Sequence, residues 1–299
     1  MKKTLFTLAA VLLLCAGCDR VRQYLGKAKD KDQTKDIAIQ PKDEQEASLQ
    51  FIHLTYNSPD SMVSISADVP ATVGTPLADS IMKYVGENFE AFTTIYSENH
   101  DARQAFLYTG EGIHNQMLSE IAEQKSGLEP KELEGMEWMF NWTYESNLIQ
   151  EYDCQHYITY VNQGDNYTGG AHGYHWLAGT TFNKETGKRI GKEILKNTDS
   201  QAFRTLFQRK LLDYFTEMDG EEGGNNTLSD YLLIDINDLQ ISNMRITNRH
   251  FIFQYQPYEI SYYAAGMPVV LLTFEQMKPY LTSEGLRLIG VEQEQVSTH

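Results

Sequence analysis

Apolar and polar residues alternate along two early stretches of the chain, residues 48–58 and 61–70, as they do in strands that bury one face. Apolar residues then recur every three or four positions across residues 76–96 and again across 105–122, a spacing that predicts amphipathic helices. After Gly135 the pattern returns to strands, which we expect within 136–152, 154–163 and 174–183. The first half of the chain therefore predicts two strands, a helical layer and then more strands.

The second half repeats this separation of helices from strands. A turn at 183–188 is expected to lead into a helix that ends near Leu195, and residues 201–218 form an amphipathic pattern capped by Asp199 or Ser200. Strands are predicted at 241–247, 250–256 and 269–274, followed by a short helix over 275–281. Because helices and strands are segregated, the pattern indicates an α+β fold with antiparallel sheets and two small sub-domains.

The first residues have the pattern of a secretion signal. Lys2 and Lys3 precede an apolar run from Leu5 to Leu14, which is shorter than the roughly 20 residues needed to span a bilayer. The run ends in CAGC, which resembles the bacterial lipobox, although Cys15 stands where that motif usually has Leu. We therefore expect a signal peptide over 1–17 and a lipid anchor on Cys18; the alternative is ordinary cleavage without a lipid.

Residues 18–48 are rich in Lys, Asp, Gln and Glu and have few large apolar side chains, which is typical of a flexible tether. The whole chain has a formal net charge of −16, so nucleic acid and anionic lipid head groups are disfavoured as partners, and cationic partners are favoured. Cys154 would be the only cysteine left besides the lipidated one, and its aromatic, strand-like surroundings indicate a buried, inert thiol.

Two distant motifs resemble a known family. NYTGGAHGYHW followed by FNKETGKRI, and later FIFQYQPYEISYYAAGMPVVLLTFEQMKPYL, are similar to segments of the RsiV-type extracytoplasmic domain of lysozyme-sensing anti-sigma factors. The preceding region resembles the PdaC-type domain, named for a peptidoglycan deacetylase in which it lies outside the catalytic domain. The resemblance implies a PdaC-like domain over 49–152 and an RsiV-like domain over 153–290. We expect residues 291–299 to form a disordered tail. It also implies a cell-envelope location and binding of a lysozyme-like protein.

The glycine-rich segment NYTGGAHGYHWLAG allows two interpretations. His172 and His175 could be two ligands of a zinc ion, with Glu259 or His156 as a third. Alternatively, Gly169 and Gly170 supply positive φ angles for a tight connection, and His172 ties the loop to nearby backbone. The second interpretation is favoured, because histidines outside a ligand motif are more often structural.

The segment PYEISYYAAGMP allows two interpretations as well. Tyr258, Tyr262 and Tyr263 could form a binding face, since tyrosine combines a large contact area with a polar tip. They could instead be core aromatics beside small residues that pack against the glycine-rich loop, with Tyr258 and a buried Glu259 as partners of that loop. The core interpretation is favoured.

These observations predict a cell-envelope lipoprotein that acts as a non-enzymatic binding module. Its expected partners are the membrane, through the lipid, and a cationic protein such as lysozyme or else peptidoglycan; no nucleic acid and no cofactor are expected. No catalytic residue is identified. The alternative is a metal-assisted hydrolase of envelope polysaccharide that uses His172, His175 and Glu259.

Overall fold

A computed structural model describes residues 49–220, 226–241 and 243–291 of the chain. The predicted signal peptide, Cys18, the tether and residues 292–299 lie outside the described residues. Within the described part there are eight α-helices and two mostly antiparallel sheets, which confirms the α+β class. None of the helices in this part has both the length and the apolar character required to cross a bilayer.

The described residues form two compact units. We call residues 49–150 together with Val161–Trp176 the N-terminal unit, and Glu151–Tyr160 together with 177–291 the C-terminal unit. The domain boundary expected at 152 stays a prediction. Residues 161–176 belong to the N-terminal unit because they pack on residues 144–146. Ser146 Oγ donates to Asn162 Oδ1 over 3.2 Å, and the Tyr144 and Trp176 rings lie 5.8 Å apart.

The N-terminal unit begins with two antiparallel strands, β1 (Phe51–Asn57) and β2 (Val63–Pro70). Three longer helices follow: α1 (Pro76–Asn88), α2 (Glu90–Asn99) and α3 (Ala102–Ser126). The single helix expected over 76–96 is thus two helices, because Phe89 leaves the helical region at φ −132° and ψ 82°. The two helices pack so closely that a Cβ on Gly86 would lie 1.7 Å from Thr93 Oγ1.

A short helix, α4 (Pro130–Leu133), and a 3-10 turn (Glu137–Phe140) lead into β3 (Thr143–Asp153). Strand β3 pairs with β2 in parallel, with Val63 opposite Tyr144. This pair departs from the expected antiparallel pattern because α1–α4 carry the chain back to the starting end of β2, as a parallel connection requires. Strands β4 (Tyr157–Tyr167), β5 (Tyr174–Asn183) and β6 (Arg189–Ile190) complete a sheet of order β1-β2-β3-β4-β5-β6.

The second sheet lies in the C-terminal unit. It has three strands, paired in chain order, and is antiparallel throughout. The helix expected before Leu195 is instead β6 and a 3-10 turn at Lys192–Ile194. The other elements of this unit are α5 (Gln201–Asp219), α6 (Leu228–Tyr231), β7 (Met244–Ile246), β8 (His250–Gln254), β9 (Val269–Thr273), α7 (Phe274–Met277) and α8 (Ser283–Leu288).

Hydroxyl groups join the two layers of strands inside the C-terminal unit. Thr159 Oγ1 donates to the Ile246 carbonyl over 2.6 Å, and Ile246 N donates to Thr181 Oγ1 over 2.9 Å. Arg245, the residue before Ile246 on the same strand, is 1 % exposed, and its Nε donates to Glu151 Oε2 over 2.8 Å. The partner matters because an unpaired buried cation would cost several kcal/mol. Gly179 leaves space for the Arg245 side chain, since a Cβ at position 179 would lie 2.1 Å from Arg245 Cδ.

Candidate functional site

The glycine-rich loop connects β4 to β5 and lies in the N-terminal unit. Gly169 and Gly170 have φ angles of +89° and +97°, which confirms the predicted positive φ values. Gly169 also passes close to the 3-10 turn, because a Cβ there would be 2.9 Å from the Met139 carbonyl oxygen. The tip is fastened by the Tyr167 hydroxyl, which donates to the Gly170 carbonyl over 3.1 Å. The glycines are therefore required by backbone geometry.

The histidines of this loop differ in their surroundings. His172 is exposed, and its Nδ1 lies 2.8 Å from the Gly173 carbonyl oxygen, so the ring ties the loop to its own backbone as the structural interpretation expected. His175 is half-buried on β5. In the described ranges no three His, Cys, Asp or Glu side chains come together as a metal site would need. His156 and Glu259, the proposed third ligands, belong to the C-terminal unit.

Asp165 is a feature of the N-terminal unit that the sequence patterns do not single out. It lies on β4, and partial burial, together with the Glu145 carboxylate, raises the pKa of Asp165, while His175 opposes that shift. Glu145 is held by Asn147, whose Nδ2 donates to Glu145 Oε1 over 2.6 Å. No sequence signal could have found this group, since its members come from three different strands.

The tyrosine segment forms a loop after β8 in the C-terminal unit. We define the tyrosine loop as residues 256–266. Tyr258 is 54 % exposed and Tyr262 is 39 % exposed. Tyr258 has a φ of +66°, a left-handed conformation that is strained for a bulky side chain. The preceding Gln256 N donates to Glu259 Oε2 over 2.7 Å and closes the turn around it.

The tyrosine loop is fixed to the core of its unit at several points. Ile260 is buried, and its carbonyl accepts a hydrogen bond of 2.9 Å from Leu233 N. Ser261 forms an antiparallel bridge with Leu232, and its hydroxyl donates to the Tyr231 carbonyl over 2.7 Å. These bonds place Leu233, which is 62 % exposed, on the strand segment next to the loop. The exposed side chains thus stand on a backbone that is already ordered.

The favoured core interpretation of this segment is correct for Ala265, which is buried, and wrong for Tyr258 and Tyr262. Tyr263 is half-buried, with its ring centroid 5.5 Å from that of Tyr258. Glu259 is exposed, and not buried as expected, because its carboxylate bonds to its own turn. The sequence patterns missed Leu233, because only the bridge between residues 232 and 261 brings it beside the loop.

Two acidic groups lie at the tyrosine loop, one at the end of α5 and one in the loop itself. Asp219, at the end of α5, accepts a 2.8 Å hydrogen bond from the Tyr231 hydroxyl. Partial burial and the nearby Asp219 carboxylate raise the pKa of the Tyr262 hydroxyl, which therefore stays neutral at physiological pH. With Glu259 in the same loop, the surface combines exposed aromatic side chains with negative charge. Such a surface can bind a partner that offers both apolar area and cations.

Cys154 lies in neither the glycine-rich loop nor the tyrosine loop. It is fully buried, its thiol donates to the Tyr157 carbonyl over 3.5 Å, and burial raises the pKa of the thiol. A raised pKa keeps the sulfur protonated and weakly nucleophilic. The prediction of a buried, inert thiol is confirmed.

Two crystal structures of DUF3298 family proteins align with this chain. One, from Bacteroides fragilis NCTC 9343, aligns with a TM-score of 0.62 and 16 % identity, covering 86 % of this chain and 100 % of that one. The other, from Pseudomonas aeruginosa PAO1, aligns with a TM-score of 0.49 and 12 % identity over 79 % of this chain and 95 % of that one. No protein-family model matches the sequence, and no curated protein matches it significantly. The described part of the chain therefore has a DUF3298-like fold, a fold associated with a domain of unknown function.

Proposed function

We propose that this protein is a lipid-anchored binding protein of the cell envelope whose tyrosine loop, with Leu233, docks a cationic protein of the lysozyme type. The observation that carries the proposal is the exposure of Tyr258 and Tyr262 on a hydrogen-bonded loop. The signal-like residues 1–17 and Cys18 support the envelope location. The resemblance of the sequence motifs to RsiV-type domains supports the choice of a lysozyme-like partner.

The tyrosine loop has the physical properties of a binding hot spot. Tyrosine is enriched among the few interface residues that contribute most of the binding energy. Its rigid ring loses little conformational entropy when it is buried by a partner, and the fixed loop backbone reduces that loss further. Leu233 adds an exposed apolar side chain on the segment whose backbone is hydrogen-bonded to the loop. Exposed side chains of this kind keep apolar area in water, which a partner would cover.

The conformation of Tyr258 gives independent support. A left-handed backbone costs a residue with a Cβ about 1–2 kcal/mol relative to the right-handed form. Glycine would avoid that cost, yet the position holds a tyrosine whose ring is more than half exposed. A strained backbone under an exposed aromatic side chain points to a functional role, and a contact with a partner would give the tyrosine that role.

Charge favours a cationic partner over a neutral glycan. Asp219 and Glu259 lie at the tyrosine loop, and the chain as a whole has a formal net charge of −16. Opposite charge accelerates association and is screened by salt over a Debye length of about 8 Å at physiological ionic strength. Binding of a basic protein should therefore weaken as the salt concentration rises.

The test is a surface-immobilised binding assay with hen lysozyme at low and high salt, using protein that lacks residues 1–18. Tyr258→Ala and Tyr262→Ala should each weaken binding about 30-fold, which corresponds to the roughly 2 kcal/mol of a hot-spot residue. Tyr174→Ala is the matched control, because Tyr174 is also exposed, at 43 %, but lies in the N-terminal unit.

Equal weakening by all three variants would show that the tyrosine loop is not the docking surface. Absence of lysozyme binding at low salt, together with retention on purified peptidoglycan, would replace the cationic protein with a cell-wall glycan. The alternative of a metal-assisted hydrolase has no observation in its favour among the described residues, since His172 and His175 are not joined by further ligands there.

A further inference from the structure

The C-terminal unit contains a small cleft that neither the sequence patterns nor the proposed function involves. It has a volume of about 190 Å³ and lies between the start of α5 and the segment 236–241. This volume is below the roughly 300–1,000 Å³ typical of sites for drug-sized ligands. The cleft therefore suits a ligand of only a few carbon atoms.

One wall of the cleft is a single face of α5. Arg204, Phe207 and Gln208 line it, and they are neighbours on the helix surface because they are three and four residues apart. Phe207 is 4 % exposed, and its ring lies 5.3 Å from that of Phe253 in an edge-on arrangement. This packing fixes an apolar patch in the wall, with the Arg204 guanidinium one turn away.

The opposite wall is held by hydrogen bonds between its backbone and two side chains. Asn237 N donates to Asp235 Oδ1 over 2.8 Å, and the Gln240 carbonyl accepts from the Tyr255 hydroxyl over 2.6 Å. Ile236, Leu239 and Ile241 supply further apolar lining. Because both walls are fixed, the cleft exists before any ligand enters.

The lining is locally cationic in an acidic chain. Lys192 and Arg204 both line the cleft, and neither is within ion-pair distance of a carboxylate among the described residues. Asp199 is the single acidic group in the lining. Two cations against one carboxylate leave a formal charge of one positive unit, opposite in sign to the chain as a whole.

We propose that this cleft binds a small organic carboxylate, with the carboxylate group at Arg204 and Lys192 and a short apolar chain against Phe207 and the 236–241 wall. A guanidinium presents a planar fork of donors that matches a carboxylate. A dianion such as phosphate fits less well, because Asp199 repels a double charge more strongly and phosphate has no apolar part to cover the lining.

The experiment is an NMR chemical-shift titration of the chain lacking residues 1–18 with sodium butyrate, at ionic strength held constant by sodium chloride. Butyramide, which has the same size but no charge, and sodium phosphate serve as comparison ligands. Butyrate should bind more tightly than either of them. Arg204→Gln should raise the Kd for butyrate at least about tenfold, since a charge-assisted hydrogen bond contributes about 1.5–3 kcal/mol.

Arg209→Gln is the matched control, because Arg209 is an exposed arginine on the same helix that does not line the cleft. It should leave the Kd unchanged, and Lys192→Gln should raise it. Equal affinity for butyrate and butyramide, equal affinity of phosphate, equal effects of the two arginine variants, or no butyrate binding would each overturn the proposal. Its failure is separate from failure at the tyrosine loop, because the residues and the probes differ.

Discussion

Gly164, on β4, is the position where the structure makes the sharpest quantitative prediction. A Cβ added there would lie 2.0 Å from the Glu145 carbonyl oxygen and 2.4 Å from Trp176 Cζ2. The first neighbour is backbone in the adjacent strand β3 and cannot rotate away. The second is a ring whose Nε1 donates to Asn162 Oδ1 over 3.1 Å and which lies 5.8 Å from the Tyr144 ring.

The cost of Gly164→Ala follows from these contacts. Overpacking in a well-packed site usually costs about 1–3 kcal/mol and occasionally more when backbone must shift. Here the new atom would overlap backbone and an immobilised indole together, so we expect a loss of about 3 kcal/mol or more in the free energy of unfolding. Gly112→Ala is the control: Gly112 lies in helix α3 with nothing within 4 Å of an added Cβ, and alanine should stabilise that helix by up to about 1 kcal/mol.

The assay is urea denaturation followed by tryptophan fluorescence. The chain has three tryptophans, Trp138, Trp142 and Trp176, and all of them lie in the N-terminal unit, so their signal reports unfolding of that unit alone. Gly164→Ala should lower the midpoint and Gly112→Ala should leave it unchanged or raise it. A Gly164→Ala midpoint equal to wild type would refute the close packing of Trp176 over β4.

Two further predictions concern the same unit. Gly170→Val should lower the free energy of unfolding by more than about 1 kcal/mol, because φ at this position is +97° and valine is β-branched. His172→Ala, at an exposed position, should lower it by less than about 0.5 kcal/mol. Equal thermal midpoints for Gly170→Val and wild type would contradict the conclusion that backbone geometry requires glycine in this loop. Asp165→Asn should stabilise the unit at pH 7. The pKa of Asp165 is raised in the folded state, so the folded state binds the proton more tightly than the unfolded state does. The aspartate therefore becomes destabilising as the pH rises through the pKa of the unfolded state and toward the pKa of the folded state. In urea titrations at a series of pH values, the extra stability of Asp165→Asn over wild type should fade below pH 3.8, the ordinary pKa of an aspartate. Extra stability that does not depend on pH would rule out ionisation of Asp165 as its cause.

Much of the fold can be predicted from the sequence, because local patterns report which residues are apolar and at what period. The alternation in residues 51–57 and 63–70 and the helical period in 201–219 each found the right element. Local chemistry also marked Gly169 and Gly170, since tight turns with positive φ favour glycine. Two helix predictions were wrong because of packing. The single helix expected over 76–96 divides at Phe89 because α1 and α2 pack against each other at Gly86. The helix expected before Leu195 is replaced in part by an edge strand, because residues 189–190 pair with β5.

The candidate sites depended on tertiary structure to a greater degree. The sequence offered Tyr258, Tyr262 and Glu259 with two possible environments, and it could not decide between them because exposure depends on which segment covers a residue. The bridge between Leu232 and Ser261 brings the segment of Leu233, some 25 residues earlier in the chain, next to the tyrosine loop, on which Tyr258 and Tyr262 are exposed. The cleft at Arg204 likewise needs residues 192–208 and 236–241 to come together. Period and composition are properties of neighbours along the chain, whereas a binding surface is made by neighbours in space.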